Sequence, residues 1–384
     1  MATLLLTAVG TAVGGPLGGA LGALVGQQAD RALFGTPTVE GPRVKELSVT
    51  TSSYGQPIAR HFGQMRVAGT VIWATDLVEN SSTEGGKGRP KTTTYSYSAN
   101  FAVAISSNPI VQLGRIWADG NLLRGAGEDL KVDGELRVYL GNGDAPVDPL
   151  IAADKGAVTP AFRECAYVVF ENLQLADFGN RIPALTFEIL SSYESQVGVV
   201  QLVPGAIENA PDDTLDHVLG FSDEGGPIGS TLSGLGRVLP LSCVTTPDGF
   251  RLSTSQTGSE DVRLLPEQRS SESSLDASER HRSRARTIGK EPLALRYYDI
   301  ARDYQPGVQR TTGRRRGGQE VIVDLPAALS ANGAKALANG NANRVRWQNE
   351  RLIWRISELD PSIRPGSLVK VPMQCGVWRI ESWE

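Results

Sequence analysis

The stretch YSYSANFAVAI, residues 95–105, decides the fold class of this chain. Its odd-numbered positions carry aromatic or aliphatic side chains or alanine, from Tyr95 to Ile105, whereas its even-numbered positions carry serine, asparagine or alanine. This period of two predicts a β-strand with one buried face. Similar short strands are predicted on both sides of it: GTVIWA (69–74), IVQLGRIWA (110–118), ELRVYL (135–140), AYVVFE (166–171) and ALTFEIL (184–190).

Composition and charge narrow the class of protein. Of 384 residues, 40% are hydrophobic and 21% are charged, which is typical of a globular chain and excludes a wholly disordered or multispanning membrane protein. The 38 basic and 42 acidic side chains give a net charge of −4. Because dedicated nucleic-acid-binding proteins are usually basic, this balance argues against that class.

The rest of the chain mixes helices with strands. Helical spacing occurs in DDTLDHVLGF (212–221) and STLSGLGRVL (230–239), and a helix rich in Ala and Asn is predicted over 327–349. LALRYYDI (293–300) and QEVIVDL (319–325) are predicted strands. We therefore predict a mainly β fold with some α, in four parts: a glycine-rich apolar N-terminal helical segment (1–42), a first β-rich domain (43–200), an inserted α+β domain (201–290) and a second β-rich domain (291–384).

Residues 2–29 form an uncharged segment with regularly spaced glycines. Positions four apart share one face of a helix, and this face carries Gly10, Gly14, Gly18, Gly22 and Gly26. Pro16 is predicted to break the helix or to begin a second one. Since each glycine costs up to ~1 kcal/mol relative to alanine in a helix, the segment is predicted to need packing partners.

Two interpretations of this segment stay open. It is either a disordered leader or a self-associating element whose bare glycine face lets helices approach closely, as small-xxx-small motifs do in lipid. The segment is also long enough to cross a bilayer, which needs ~20 apolar residues. It lacks the basic residues that precede the apolar run of a signal peptide.

Few residues are arranged for catalysis or metal binding. The cysteines are widely spaced and form no CxxC motif, so buried reduced thiols are predicted for Cys165, Cys243 and Cys375. An acidic cluster with one imidazole has metal-binding residue types, at Asp212, Asp213, Asp216 and His217. A helix N-terminus after Pro211 explains these carboxylates more simply, and neither a metal nor another cofactor is predicted.

Two basic stretches are predicted to be loop tips. GGKGRPKTT, residues 85–93, lacks the GxxxxGK[ST] spacing of a phosphate-binding loop and is predicted to be a flexible hairpin tip within a polar loop at 80–94. The run from Arg314 to Arg316 is predicted to be a solvated hairpin tip rather than a nucleic-acid contact.

Several longer stretches carry a family resemblance. They are SYGQPIARHFGQMRVAGTVIWATDLVE (53–79), YSYSANFAVAI (95–105), RIWADGNLLRG (115–125), RVYLGNGDAPVDPLIAADKGAVTPAFRECAYVVFENLQLADFGNRIPALTFEI (137–189) and YYDIARDYQPGVQ (297–309). Together they resemble the central tail-tip, or baseplate hub, proteins of long-tailed phages and gene transfer agents. The resemblance covers most of residues 40–384.

This resemblance implies a structural protein of the virion tail tip. It implies several small β-rich hub domains, barrel-like or sandwich-like, in a ring of three copies that closes the tail tube and opens for DNA delivery into the host cell. The implied partners are its own copies, the distal tail ring protein, the tape-measure protein and other baseplate proteins. In this setting the five glycines of the stripe are predicted to serve self-association and channel closing, and residues 2–29 to contact the host membrane transiently. No specific nucleic-acid binding is predicted.

Larger members of the family carry a glycoside-hydrolase-like barrel and receptor-contact domains. At 384 residues this chain has no stretch for such a barrel, so no enzymatic activity is predicted, and a short member, a processed product or part of a longer protein is expected. The alternative is a cell-wall-degrading enzyme that uses Glu171 and Glu188, which requires the two carboxylates ~5–9.5 Å apart in one cleft. A third hypothesis, a pore-forming protein, depends on residues 2–29 alone.

Overall fold

The structure is a computed structural model. It describes residues 2–34, 38–40, 57–84, 91–203, 214–246, 249–254, 262–267, 280–284, 293–312, 321–348, 350–356, 358, 360–363 and 367–382. Residues 85–90 of the glycine-lysine stretch, Asp212 and Asp213 of the acidic cluster, and Arg314, Arg315 and Arg316 lie outside the described residues.

Strands dominate the first half of the chain after an N-terminal helix, α1 (Ala2–Phe34). These strands are β1 (Thr38–Glu40), β2 (Arg60–Ala68), β3 (Thr70–Ala74), β4 (Val78–Glu84), β5 (Lys91–Ser106), β6 (Gln112–Ala118), β7 (Asn121–Arg124), β8 (Glu135–Tyr139), β9 (Ala166–Gln174) and β10 (Leu185–Leu190). A short helix, α2 (Pro149–Lys155), lies between β8 and β9.

The second half alternates short strands with three further helices, α3 (Val199–Leu202), α4 (Ile228–Gly236) and α5 (Ala331–Trp347). Its strands are β11 (Gly220–Asp223), β12 (Leu241–Thr246), β13 (Gly249–Thr254), β14 (Arg263–Leu264), β15 (Arg280–Arg284), β16 (Ala294–Asp299), β17 (Gln305–Arg310), β18 (Ile322–Leu329), β19 (Glu350–Trp354), β20 (Leu368–Lys370) and β21 (Trp378–Arg379). The predicted helix at 327–349 is confirmed as α5, which begins after the Ser330 cap because residues 327–329 end β18.

Two large sheets contain most of the strands. One has six strands in the order β1-β5-β9-β8, with β3 and β4 also paired to β5. The other has eight strands in the order β17-β16-β18-β11-β2-β10-β6-β7. Smaller sheets join β12 with β13, β15 with β19, and β14 with β20 and β21. The prediction of a mainly β chain with some α is confirmed.

Strand β5 lies at the centre of the fold and is buried on both faces over residues 101–106, whereas its alternation predicts a single buried face. Its face with Phe101 and Val103 packs in a core that it shares with β2, β6, β9 and β10, so the two large sheets face each other as a sandwich. The other face is also covered, because Ala102 packs against Trp73 and Ile151 of α2. Part of the predicted polar loop at 80–94 is strand instead, since Glu84 of β4 pairs with Thr92 of β5.

Strand β2 joins elements that are far apart in the sequence. It pairs with β10 along one edge and with β11 along the other. The backbone of Gly63 has a φ of 66°, and a methyl group there would overlap the Leu219 carbonyl oxygen of the neighbouring connection. A single sheet therefore contains strands from three of the four predicted parts of the chain, and the domain boundaries themselves stay a prediction.

Two further sequence-based predictions are wrong. The helix predicted in DDTLDHVLGF is absent from its described part, because residues 214–219 form a bridge and turn and β11 follows directly. His217 has a left-handed φ of 65° there, while Leu215 and Val218 are buried against α4 and α5. The prediction of three buried thiols fails at Cys375, which is exposed beside the turn at Met373, and Cys165 is only half-buried. The side chain of Cys243 lies outside the described residues.

The buried imidazole of His61 on β2 predicts an acid-sensitive fold. Its Nδ1 has no hydrogen-bond partner, and burial lowers the pKa of His61 to about 4 from its usual 6.5. Because the unfolded chain binds the proton more tightly, stability is full above pH 6.5 and falls by up to about 3 kcal/mol as the pH drops to 4. In the sheet, His61 is paired with Ser222 of β11, and the ion pair between Arg60 and Asp223 is next to it.

Denaturant unfolding of the whole chain at several pH values measures this effect. We expect His61→Leu to lose less stability between pH 6.5 and 4 than the parent chain. His217→Asn is the matched control, because it removes an exposed imidazole and asparagine tolerates the left-handed backbone. Equal pH dependence in His61→Leu and the parent would contradict the prediction.

Candidate functional site

The N-terminal element α1 is a helical hairpin. The backbone leaves the helical conformation at Gly14 and at Gly15, and Gly15 has a φ of 60° and a ψ of −154°, a region that only glycine adopts readily. Pro16 follows at the start of the second arm. The prediction that Pro16 breaks the helix or begins a second one is confirmed. The two arms, residues 2–13 and 16–34, run antiparallel.

The glycine stripe lies between these two arms. A methyl group on Gly18 would overlap the carbonyl oxygen of Gly10, and one on Gly22 would overlap that of Leu6. Gly26 approaches the backbone of Thr3 equally closely, whereas Gly14 at the tip has open space around it. Four of the five predicted self-association glycines therefore pack the hairpin against itself, and their role between copies of the chain stays a prediction.

The Asp30 side chain joins the two ends of the hairpin by hydrogen bonds. Its carboxylate accepts hydrogen bonds from the backbone N–H groups of Ala2 and Thr3, both at 2.8 Å, and from the Thr3 hydroxyl at 2.6 Å. These are unpaired donors at the first turn of a helix, where a negative charge is favourable. The hydrogen bonds from Thr3, first from its hydroxyl, hold the pKa of Asp30 well below its usual value.

The outer faces of the hairpin are apolar and exposed. Val13 at the tip is 87% exposed and Leu17 is 80% exposed. Six further large apolar side chains point outward: Leu4, Leu5, Val9, Leu21, Leu24 and Val25. Residues 2–30 also have the length and hydropathy of a membrane span, although the structure folds them into two shorter arms. This surface is the candidate interaction site of the described chain.

Glu188, one of the two candidate catalytic carboxylates, is engaged in an ion pair. Arg115 donates from Nε to Oε2 at 2.8 Å and from Nη2 to Oε1 at 3.0 Å, and the Tyr304 hydroxyl donates to Oε1 at 2.9 Å. Burial alone would raise the pKa of Glu188, but these hydrogen bonds outweigh it and the pKa is lowered. An ionised carboxylate of this kind is unsuited to act as a general acid.

The other candidate carboxylate, Glu171, lies on β9 of the other large sheet. Its Oε2 accepts from Arg137 Nη1 at 2.5 Å, and the same guanidinium donates from Nε to the fully buried Asp148 at 2.8 Å. Glu171 and Glu188 thus have separate arginine partners on separate sheets. A pocket of about 280 Å³ lies beside Glu188, and Glu171 is not among the residues that line it.

Metal ligands do not converge within the described part of the chain, where no three His, Cys, Asp or Glu side chains form a group suited to a metal ion. Asp216 and His217 are described, but their two acidic partners from the sequence cluster are not. Sequence reasoning missed the Arg115–Glu188–Tyr304 cluster, because its members are more than 70 residues apart and only β-pairing brings them together.

Comparison with known proteins finds one family model and several solved chains that resemble this chain. Residues 229–383 match a family model described as "Putative phage tail protein". A solved chain from the structure "Virion of native gene transfer agent (GTA) particle" is similar over 97% of this chain and 93% of that chain, with a TM-score of 0.64 and 24% identity. This likeness shows a common fold. A search of curated proteins finds no match.

Proposed function

We propose that this chain is a structural component of a phage-like tail. The family match over residues 229–383 and the fold shared with a chain of a gene transfer agent virion support this assignment. In finer terms, we propose a baseplate hub at the tail tip of the virion, in which three copies form a ring that closes the tail tube and opens for DNA delivery into the host cell.

One observation carries the closing role, namely the exposed apolar surface of the hairpin. Burying one valine or leucine side chain contributes roughly 1.5–3 kcal/mol, so covering eight of them strongly favours association. A ring brings its subunits' hairpins together near one axis, where each covers the apolar face of the next. Because the glycines already pack the arms of each hairpin, the contact between copies would use the leucine and valine faces.

Other partners fit the same proposal. The tape-measure protein would meet the hairpins inside the tube, and the distal tail ring protein and other baseplate proteins would contact the β-rich parts. The net charge of −4 favours a channel that does not grip DNA, since a basic wall would bind phosphates. During delivery the uncharged hairpin would contact the host membrane transiently.

We expect three copies of the whole chain per ring, and mass measurement in solution and in intact tails checks this number. A closed ring of identical subunits is the usual solution for homo-oligomers and also covers exposed strand edges. A variant with Leu17→Ser and Leu21→Ser should weaken the trimer, because it removes apolar outer contacts. The matched control, Val158→Ser, removes an 83% exposed apolar side chain outside the hairpin. A monomer or a six-fold ring of this chain in intact tails would contradict the proposal.

The alternative function is a cell-wall-degrading tail-tip enzyme. Purified chain would then digest peptidoglycan, and Glu188→Gln would abolish that activity. We expect no digestion by the parent chain, because both candidate carboxylates are held in ion pairs.

A further inference from the structure

The turn between β16 and β17, residues 300–304, has an unusual backbone. Asp303 has a φ of 52° and Tyr304 a φ of 60°, so two consecutive residues with side chains adopt the left-handed region. Aspartate adopts this region more readily than most residues, but for a bulky residue such as Tyr304 it is unusual and persists only where the surroundings hold it. We name residues 300–304 the latch turn.

Asp299 holds the latch turn locally by accepting the N–H groups of Ala301 and Tyr304, and two distant strands also hold it. Arg115 Nη1 of β6 donates to the Asp303 carboxylate at 2.6 Å, and Arg66 Nη1 of β2 donates to the Asp303 carbonyl at 3.2 Å. Both guanidiniums lie over the Trp117 ring, at 4.0 Å for Arg66 and 4.8 Å for Arg115. Stacking on Trp117 therefore holds both guanidinium groups in the positions from which they contact Asp303.

Tyr304 anchors the latch turn in the interior. Its side chain is only 4% exposed and packs in the core between the two large sheets, and its hydroxyl donates to Glu188. Asp303, by contrast, is 54% exposed in its ion pair with Arg115. The turn is thus held by a buried hydrogen bond at Tyr304 and by an exposed ion pair between Arg115 and Asp303, which we call the clamp. Solvent or a competing charge reaches this ion pair before it reaches Tyr304.

We propose that the latch turn is a strained, releasable joint between the β16–β17 edge and strands β2, β10 and β6. While the Arg115–Asp303 clamp is closed, it holds the left-handed backbone in place. When the clamp opens, the backbone of the turn relaxes and Tyr304 leaves its buried position, so the turn separates from β2, β10 and β6 while β16 stays paired with β18. The use of this release in opening the tail tip rests on the function proposed above.

Hydrogen exchange of the whole chain tests the strain with a matched pair of variants. Asp303→Ala and Asp303→Gly both remove the ion pair, but only glycine adopts the left-handed backbone without strain. We expect amides of residues 300–308 to exchange about fivefold faster in Asp303→Ala than in Asp303→Gly. Amides of β5 serve as the internal reference for an intact core. Equal exchange in the two variants would overturn the latch.

A second measurement separates this inference from the proposed function. We expect tails carrying Asp303→Ala to release DNA at a lower temperature than tails carrying Asp303→Gly. If the exchange rates differ as expected but DNA release does not, the latch stands and the opening role of the tail component is rejected. If the exchange rates are equal, the latch is wrong whatever the release temperature.

Discussion

Tails in which Gly18 and Gly22 are both replaced by leucine are expected to leak DNA or to assemble poorly. A leucine at either position places its Cβ against a carbonyl oxygen of the opposite arm, Gly10 or Leu6. Overpacking of a close contact costs typically 1–3 kcal/mol per site, and here the rigid backbone cannot yield without separating the arms. The hairpin is thus expected to open and to lose the shape that brings its outer faces together.

Gly14→Leu is the matched control for this double variant. It adds the same side chain on the same stripe, but Gly14 lies at the tip with open space around it. Circular dichroism and hydrogen exchange should show loss of the hairpin in the double variant and its retention in Gly14→Leu, with the β-sheets intact in both. DNA retention and transfer by the particles give the functional measurement. Normal transfer by the double variant would reject the closing role of the hairpin.

Asp148→Ala is expected to destabilise the β-rich part by about 2–4 kcal/mol, because it removes a helix cap and leaves buried donors without their acceptor. Asp148 is fully buried, and its Oδ1 accepts the N–H groups of Leu150 and Ile151 at the start of α2. Its Oδ2 accepts from Arg137 Nε and from the Tyr139 hydroxyl, both at 2.8 Å. The substitution removes one of the two charged partners of the Arg137 guanidinium and also removes the N-terminal cap of α2.

Urea unfolding of the whole chain measures this effect. The nearby Asp144 is exposed, and Asp144→Ala should change the free energy of unfolding by no more than about 0.5 kcal/mol. Asp148→Asn should fall between the two, because the amide oxygen still caps α2 but carries no charge. A loss below 1 kcal/mol in Asp148→Ala would show that the buried network contributes little to stability.

The elements that the sequence predicts well are those with local signals. Strand β5 is visible in its alternation, and the break of α1 is visible in Pro16. The glycine stripe indicates close helix packing, but the same spacing serves a partner helix in another chain or in the same chain. Only the sharp turn at Gly14 and Gly15 shows that the partner helix belongs to the same chain. The four-residue spacing of the glycines does not predict this turn, because it depends on the backbone angles of two residues.

The features that the sequence does not predict depend on distant pairing. Nothing in YYDIARDYQPGVQ indicates that Asp303 meets Arg115 or that Tyr304 enters a core built by another part of the chain. The helical spacing of DDTLDHVLGF is overridden because Leu215, Val218 and Phe221 are buried by turn and strand geometry instead. Tertiary burial outweighs a weak local propensity in this stretch.

The symmetry of the hairpin about its tip has a consequence for how such segments change in evolution. Gly18 meets Gly10, Gly22 meets Leu6 and Gly26 meets Thr3, so each step of four residues along one arm is matched by a step of three or four along the other. An insertion in a single arm would shift every pair beyond it and would move Asp30 away from Thr3. Length variation among homologous hairpins should therefore occur as paired insertions or deletions of about one helical turn, one in each arm.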